Sequence, residues 1–341
     1  MMKKGWFVIG LVFALLIGPA ILASADTVVV VDQAGNPVTI ERPVDRIVSI
    51  DGIGTYYVYA LGRGDSLVAA WYIGVKGLEK APEGLFRLEP RLPEILRFGD
   101  PNVEEMVSLD PDLIIVNGSR HGAFAAQMND LGVPTIQLLV ETPGALKDSL
   151  RLIAAAIGGD TIPRAEALVA DYDRVFDTVE TSLSGLPESR RPRVLFIGTD
   201  KLRVASGDMY QSYLIEVSGG VSITLGLSGY WNDVNLEQVL LWDPDVIVIA
   251  PYGGIQPEDI LTDPDWQAIS AVENGRVYKM PRVLAAMDTP VPESLLGVVW
   301  MANLLYPDLV PLDLATEAEH FYSTYYDYEL TDEELVTLLG E

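Results

Sequence analysis

The chain of 341 residues contains no cysteine. That excludes disulfides, thiolate metal ligands, cysteine nucleophiles and a lipid anchor on cysteine. Histidine is almost missing: His121 and His320 are the only two, and they lie far apart in the chain. Neither a G-x-S-x-G elbow nor an H-E-x-x-H motif occurs, so a histidine-dependent triad or zinc site lacks its parts. Basic residues are scarce, with 23 Lys and Arg against 49 Asp and Glu and a formal charge of −26. Such a chain repels nucleic acid and anionic membrane surfaces, and its acidity reads first as solubility. Carboxylates are plentiful, so a secreted hydrolase working through a carboxylate pair stays open as the enzyme alternative. An adhesion protein would carry repeated β modules, and none is present.

Hydrophobic residues make up 49% of the chain, enough for a large core, and the length suits two domains. The one long apolar run is N-terminal. After the basic "MMKKGW" comes "FVIGLVFALLIGPAILA", then Ala23-Ser24-Ala25 before Asp26. This pattern reads as a secretory signal over residues 1–25, placing the mature chain outside the cytoplasmic membrane, periplasmic or at the cell surface. An uncleaved anchor is the alternative, since the run nearly reaches the length that spans a bilayer.

Beyond residue 26 the chain alternates. "TVVVV" and "VTI" flank a polar turn and predict a β-hairpin. "RIVSI", "SLVAAW", "LIIV" and "PTIQLL" read as strands separated by helical stretches, which implies a parallel sheet covered on both faces. From residue 143 the pattern becomes purely helical. Ala165, Leu168, Tyr172, Phe176 and Val179 recur at spacings of three and four, an amphipathic stripe on one long helix over about residues 161–183. The alternation restarts at "VLFIG" and runs through "VIVIA" and "RVYKM" to a helical C-terminus. The expected architecture is α/β: two Rossmann-like lobes with parallel-rich sheets joined by one long helix. The N-terminal lobe spans residues 26–142, the helical region 143–187 and the C-terminal lobe 188–341.

One unit occurs twice. Residues 102–116 read "NVEEMVSLDPDLIIV" and residues 235–249 read "NLEQVLLWDPDVIVI". Together with "RIVSI", "SYLIEVSGGVSI" and "DPDWQAISAVENGRVYKMP", in this order behind a signal sequence, they resemble the substrate-binding proteins of iron-siderophore, haem and cobalamin ABC importers, whose lobes are joined by a single rigid helix. The resemblance covers almost all of the mature chain. The segments "ESLLGVVWMANLLYPD" and "EHFYSTYYDYELTDEEL" look like a subgroup that includes relatives of molybdate and tungstate binders, which keeps an oxyanion open as the alternative ligand.

The resemblance implies a monomer with no intrinsic cofactor that carries a small molecule, in the first instance a metal chelate, to an ABC permease dimer with its ATPase. It places one permease-docking glutamate on each lobe, Glu104 and Glu237. The residues alone also allow a plainer role, because a glutamate in a first helical turn favours the helix dipole. Ligands of such α/β sheets bind beyond the carboxyl ends of the strands. The segments there offer Tyr56, Tyr57, Arg120, His121, Tyr210, Tyr252, Arg282 and Met287 as candidate ligand contacts. Aromatic and guanidinium groups suit a planar macrocycle or an anionic chelate. Each has a plainer reading: a tyrosine can face its own core, a histidine can be an ordinary loop residue, and Arg282 can pair with an acidic neighbour. Asn117-Gly118-Ser119 also matches a glycosylation sequon.

Overall fold

The computed structural model describes residues 26–340, so the expected signal sequence lies outside the described residues. The chain begins with the antiparallel hairpin of β1 (Asp26–Val31) and β2 (Pro37–Arg42). Alternation decides its faces. Val30, Val38 and Ile40 are buried, and Val29 and Val31 are exposed.

The first sheet has the order β4-β3-β5-β6, all parallel. β3 (Ile47–Ser49) leads into α1 (Gly52–Ala60), and β4 (Leu67–Ala70) follows. The short helices α2 (Glu83–Leu88) and α3 (Leu92–Ile95) precede α4 (Val103–Ser108). β5 (Leu113–Asn117), α5 (Gly118–Asp130) and β6 (Thr135–Leu138) complete the lobe. Every residue of β3, β5 and β6 is buried, as expected of parallel strands covered on both faces.

Two helices then run without an intervening strand, α6 (Pro143–Ile157) and α7 (Thr161–Leu183). α7 has 23 residues, about 35 Å at the α-helical rise of about 1.5 Å per residue. Ala165, Leu168, Tyr172, Val175 and Val179 form its buried stripe.

The second sheet runs β10-β8-β7-β11-β12, with β9 also paired to β7. Its parallel part comprises β7 (Arg193–Ile197), β9 (Val221–Ser222), β11 (Val246–Ile249) and β12 (Val277–Lys279). β8 (Arg203–Val204) and β10 (Asn232–Asp233) add an antiparallel edge. The helices interspersed here are α8 (Tyr210–Val217), α9 (Leu236–Trp242), α10 (Pro257–Leu261) and α11 (Ser270–Glu273). α12 (Ser294–Leu305), α13 (Leu314–Tyr326) and α14 (Asp332–Leu339) end the chain.

The repeated motif does the same work in both lobes. Asn102 and Asn235 cap α4 and α9, accepting hydrogen bonds from main-chain N–H groups of the first turn. Asp110 and Asp243 both adopt left-handed backbone, with φ of 48° and 42°. Aspartate is among the few residues that tolerate that region. The second aspartate of each triplet clamps the neighbouring strand. Asp112 Oδ2 accepts from the N–H groups of Asp45 and Arg46 at 2.8 Å each, ahead of β3. Asp245 Oδ2 accepts from the Arg193 N–H at 2.8 Å, at the start of β7. The repetition therefore holds an equivalent strand in each sheet.

The lobes are tied more than once. The segment between β12 and α12 crosses back to the first lobe, where Tyr57 Oη donates to the Pro290 carbonyl at 2.7 Å. The C-terminal helices return as well. Arg164 of α7 donates to the carbonyls of Ala60, Thr324 and Tyr325, and Arg87 pairs with Glu334 at 3.0 Å. A single connecting helix was expected; the structure adds these two further straps.

Candidate ligand cleft between the lobes

Helices α1 and α5 begin directly beyond the strand ends of β3 and β5. The segments "DGIGTYY" and "NGSRHG" are therefore helix starts. The cause is local: Asp51 and Asn117 are N-caps. Asp51 accepts from the Ile53 N–H at 3.4 Å, and Asn117 Oδ1 accepts from the Arg120 N–H at 3.2 Å. α1 must also lie tight against the chain after β4. A Cβ on Gly52 would come within 2.4 Å of the Ile73 nitrogen, so only glycine fits there.

These helix starts face α8 and the loop after β11 across a cleft of about 370 Å³. The first lobe contributes Asp51, Asn117, Arg120 and Glu141. The second contributes Met209, Gln211, Tyr230, Trp231 and Tyr252, and Thr289 and Pro290 come from the crossing segment. Larger hollows of about 1020 and 1040 Å³ open elsewhere around the hairpin. In the first, Arg42, Arg63 and Arg164 are already bound to main-chain carbonyls, so their charge is not turned toward a ligand.

The cleft is electrostatically mixed. Burial pushes the Asp51 carboxyl up, against the lowering effect of the Ile53 amide and Arg120. Burial also raises Glu141, with Asp51 adding to the effect and the Tyr210 amide opposing it. Glu141 Oε2 accepts from the Tyr210 N–H at 3.4 Å, so this carboxylate reaches from one lobe to the start of α8 on the other. Behind the second wall, Asp288 is fully buried. Its Oδ2 accepts from Gln211 Nε2 at 3.0 Å and from Tyr252 Oη at 2.8 Å. Trp231 packs edge-on against Tyr252 with ring centres 6.5 Å apart.

Of the candidate contacts, Arg120 and Tyr252 line the cleft, one from each lobe. His121 follows Arg120 at a kink in α5 (φ −120°, ψ 20°), half-buried, with Nδ1 unpartnered. Arg282 is not free to face a ligand. It donates to the Ile73 carbonyl at 2.9 Å and the Leu284 carbonyl at 3.1 Å, and so acts as a strut between the lobes. Tyr56, Tyr57, Tyr210 and Met287 belong to the core and not to the cleft wall. All nine residues of α1 are buried, so Tyr56 and Tyr57 have no open face to use. Tyr56 Oη donates to the Leu284 carbonyl, and Tyr210 Oη bonds Ser294 Oγ at 2.8 Å. The sequon is unsuited to modification, because Asn117 is 7% exposed and its Oδ1 caps α5. Sequence reading missed Asp51, Glu141, Gln211 and Asp288. An N-cap residue directly after a buried strand was the available signal for Asp51.

Glu104 and Glu237 are exposed in the first turns of α4 and α9, and neither is in an ion pair among the described residues. Val107 and Leu241 are exposed on the same two helices.

Two α/β sheets bridged by a long helix, with a polar cleft at the carboxyl ends of their strands, define a two-lobed solute-binding protein. The family model described as "Periplasmic binding protein" matches residues 47–284, and the chain belongs to that family. It is 26% identical to the molybdate-binding protein MolA of Haemophilus influenzae, over 93% of this chain and 95% of that one. It is 23% identical to the vitamin B12-binding protein of Vibrio vulnificus, over 75% of this chain and 88% of that one. Among solved structures, a periplasmic solute binding protein from Veillonella parvula superposes with a TM-score of 0.78 at 29% identity, covering 92% of this chain and 97% of that one. These relatives are named as binding proteins, not enzymes. Among the described residues no helix is long and apolar enough to cross a membrane.

Proposed function

We propose that the chain is the extracytoplasmic substrate-binding component of an ABC importer and that it captures a compact metal chelate in the interlobe cleft. The observation that carries this reading is the cleft of about 370 Å³ lined by Arg120 from one lobe and Tyr252 from the other. That volume is at the low end of the ~300–1,000 Å³ usual for small-molecule sites. That volume suits a small chelate better than a haem or corrinoid. Arg120 offers a bidentate fork to carboxylate groups of the chelate. The exposed glutamates Glu104 and Glu237, one per lobe, suit docking on a permease dimer of twofold symmetry. Secretion follows from the N-terminal pattern over residues 1–25.

A second reading, an oxyanion ligand, is favoured by the likeness to the molybdate-binding protein over nearly the whole chain. Thermal unfolding with ferric citrate, haem, cobalamin and molybdate in turn tests both. A hundredfold excess over the dissociation constant stabilises the folded state by about 2.7 kcal/mol. Stabilisation by ferric citrate alone supports the first reading, by molybdate alone the second, and by none of the four defeats both.

A further inference from the structure

Gln211 is 3% exposed and Asp288 fully buried. A carboxylate accepts hydrogen bonds and donates none when ionised. Asp288 Oδ2 receives the amide N–H of Gln211 and the hydroxyl of Tyr252 together. The Gln211 amide is thereby fixed with Nε2 toward Asp288, which leaves Oε1, an acceptor, buried and unpartnered in a residue of the cleft lining. The Tyr252 hydroxyl has given up its only proton, so toward the cleft it too is an acceptor. Across the space stand the carboxylates of Asp51 and Glu141, and Asp51 Oδ2 is unpartnered as well. Arg120 supplies the cleft's cationic group.

We propose that Asp288 sets the polarity of this wall: by taking the donors of Gln211 and Tyr252 it leaves acceptors facing the ligand, and so selects a ligand that carries donors on that side, such as metal-bound water, hydroxyl or amine, over a bare oxyanion. The proposal rests on the capture reading above and names the chemistry of its ligand. Asp288 is a positioning residue, acting through Gln211 and Tyr252. An oxyanion would place its lone pairs against theirs, and a buried acceptor facing an acceptor is unsatisfied on both sides. An aquated chelate satisfies both ends, with carboxylate oxygens toward Arg120 and coordinated water toward the wall.

The arrangement depends on pH. Burial pushes the Asp288 carboxyl up to about 6, with Gln211, Tyr252, its own N–H and Arg282 opposing that rise. Once protonated, Asp288 carries a donor of its own and is a weaker acceptor, which loosens its hold on the orientation of the two side chains.

The test has two arms. In the first, the side-chain amide resonance of Gln211, assigned by its loss in Gln211→Met, is followed by NMR across pH in the ligand-free protein. It should titrate with Asp288 in the wild type and not in Asp288→Asn; a resonance indifferent to both overturns the proposal. In the second, calorimetry compares ferric citrate, hexaamminecobalt(III), which offers only donors, and molybdate, which offers only acceptors. Near about pH 7.5, each lost wall contact is expected to change relative affinity about five- to tenfold. Asp288→Asn, and separately Gln211→Met, should lower the preference for the donor-bearing probes over molybdate. Lowering the pH to about 5 should do the same in the wild type and less in Asp288→Asn, where only Asp51 and Glu141 remain to take up protons in the cleft. A preference unchanged in both variants, or one equally for molybdate in all three proteins, overturns the proposal. If no probe binds while the Gln211 resonance still follows Asp288, the polarity of the wall is upheld and the capture reading is what falls.

Discussion

Replacing Glu293 with glutamine should flatten part of the pH dependence of folding stability. Glu293 is fully buried where the crossing segment enters α12, among groups of both lobes. Its Oε2 accepts from Tyr326 Oη at 2.5 Å and its Oε1 from the Ala285 N–H at 3.1 Å, while Arg282 is the nearby positive charge. Burial nevertheless dominates and pushes the carboxyl up from 4.5 to about 7. The folded state therefore holds this proton to higher pH than the unfolded chain does. The stability the group contributes is fully present below pH 4.5 and is lost as pH rises through about 7. At roughly 1.4 kcal/mol per pH unit, the loss is about 3 kcal/mol. Glutamine keeps the shape and cannot ionise. It brings a single oxygen for two donors, which adds a pH-independent penalty of about 1–3 kcal/mol. The difference in unfolding free energy between variant and wild type, from urea titrations between about pH 4.5 and 8, should thus move by about 3 kcal/mol in the variant's favour. Taking the difference removes the contributions of Asp288 and of the acidic surface, which are common to both proteins. A difference that stays constant across this range would show that Glu293 is not held out of its ordinary ionisation, and the argument from burial would fail.

Three further outcomes are expected. Asp112→Ala and Asp245→Ala should each lower the urea midpoint, at a cost of about 1–3 kcal/mol, with Asp112 the costlier because it clamps two N–H groups against one; equal midpoints for wild type and variants would remove the clamp from the account of the repeat. Arg164→Ala frees three carbonyls that join α7, α1 and α13, so small-angle scattering should give a larger radius of gyration than the wild type, whose value should change little on ligand binding; a large drop on binding in the wild type would contradict the tied lobes. Glu104→Arg and Glu237→Arg should leave folding and ligand affinity nearly unchanged, since exposed charges contribute little to stability, yet weaken docking on the cognate permease and its ligand-stimulated ATPase activity, the double variant most; normal transport by both would leave the glutamates as helix-start residues only.

Local pattern was enough for much of this protein. Alternation and turn residues marked the β1–β2 hairpin, the spacing of Ala165, Leu168, Tyr172 and Val179 marked α7, and the paired Asn and Asp-Pro-Asp signals marked equivalent helix–strand units in two lobes. Periodicity and capping are properties of a few neighbouring residues, so they can be read along a chain. The cleft was legible only where a residue sits beside a strand end, as Arg120 and Tyr252 do. Tyr56, Tyr57, Tyr210 and Met287 stand at comparable places in the chain yet are core, because which side of α1 or α8 is covered depends on α12, α13 and the crossing segment packing there from more than two hundred residues away for Tyr56 and Tyr57. The same crossing segment brings Asp288 behind Gln211 and Tyr252, and a separate contact between the lobes brings Glu141 to the start of α8. Burial and hydrogen-bond polarity are set by what comes to lie against a side chain, and here only the tertiary structure decided that.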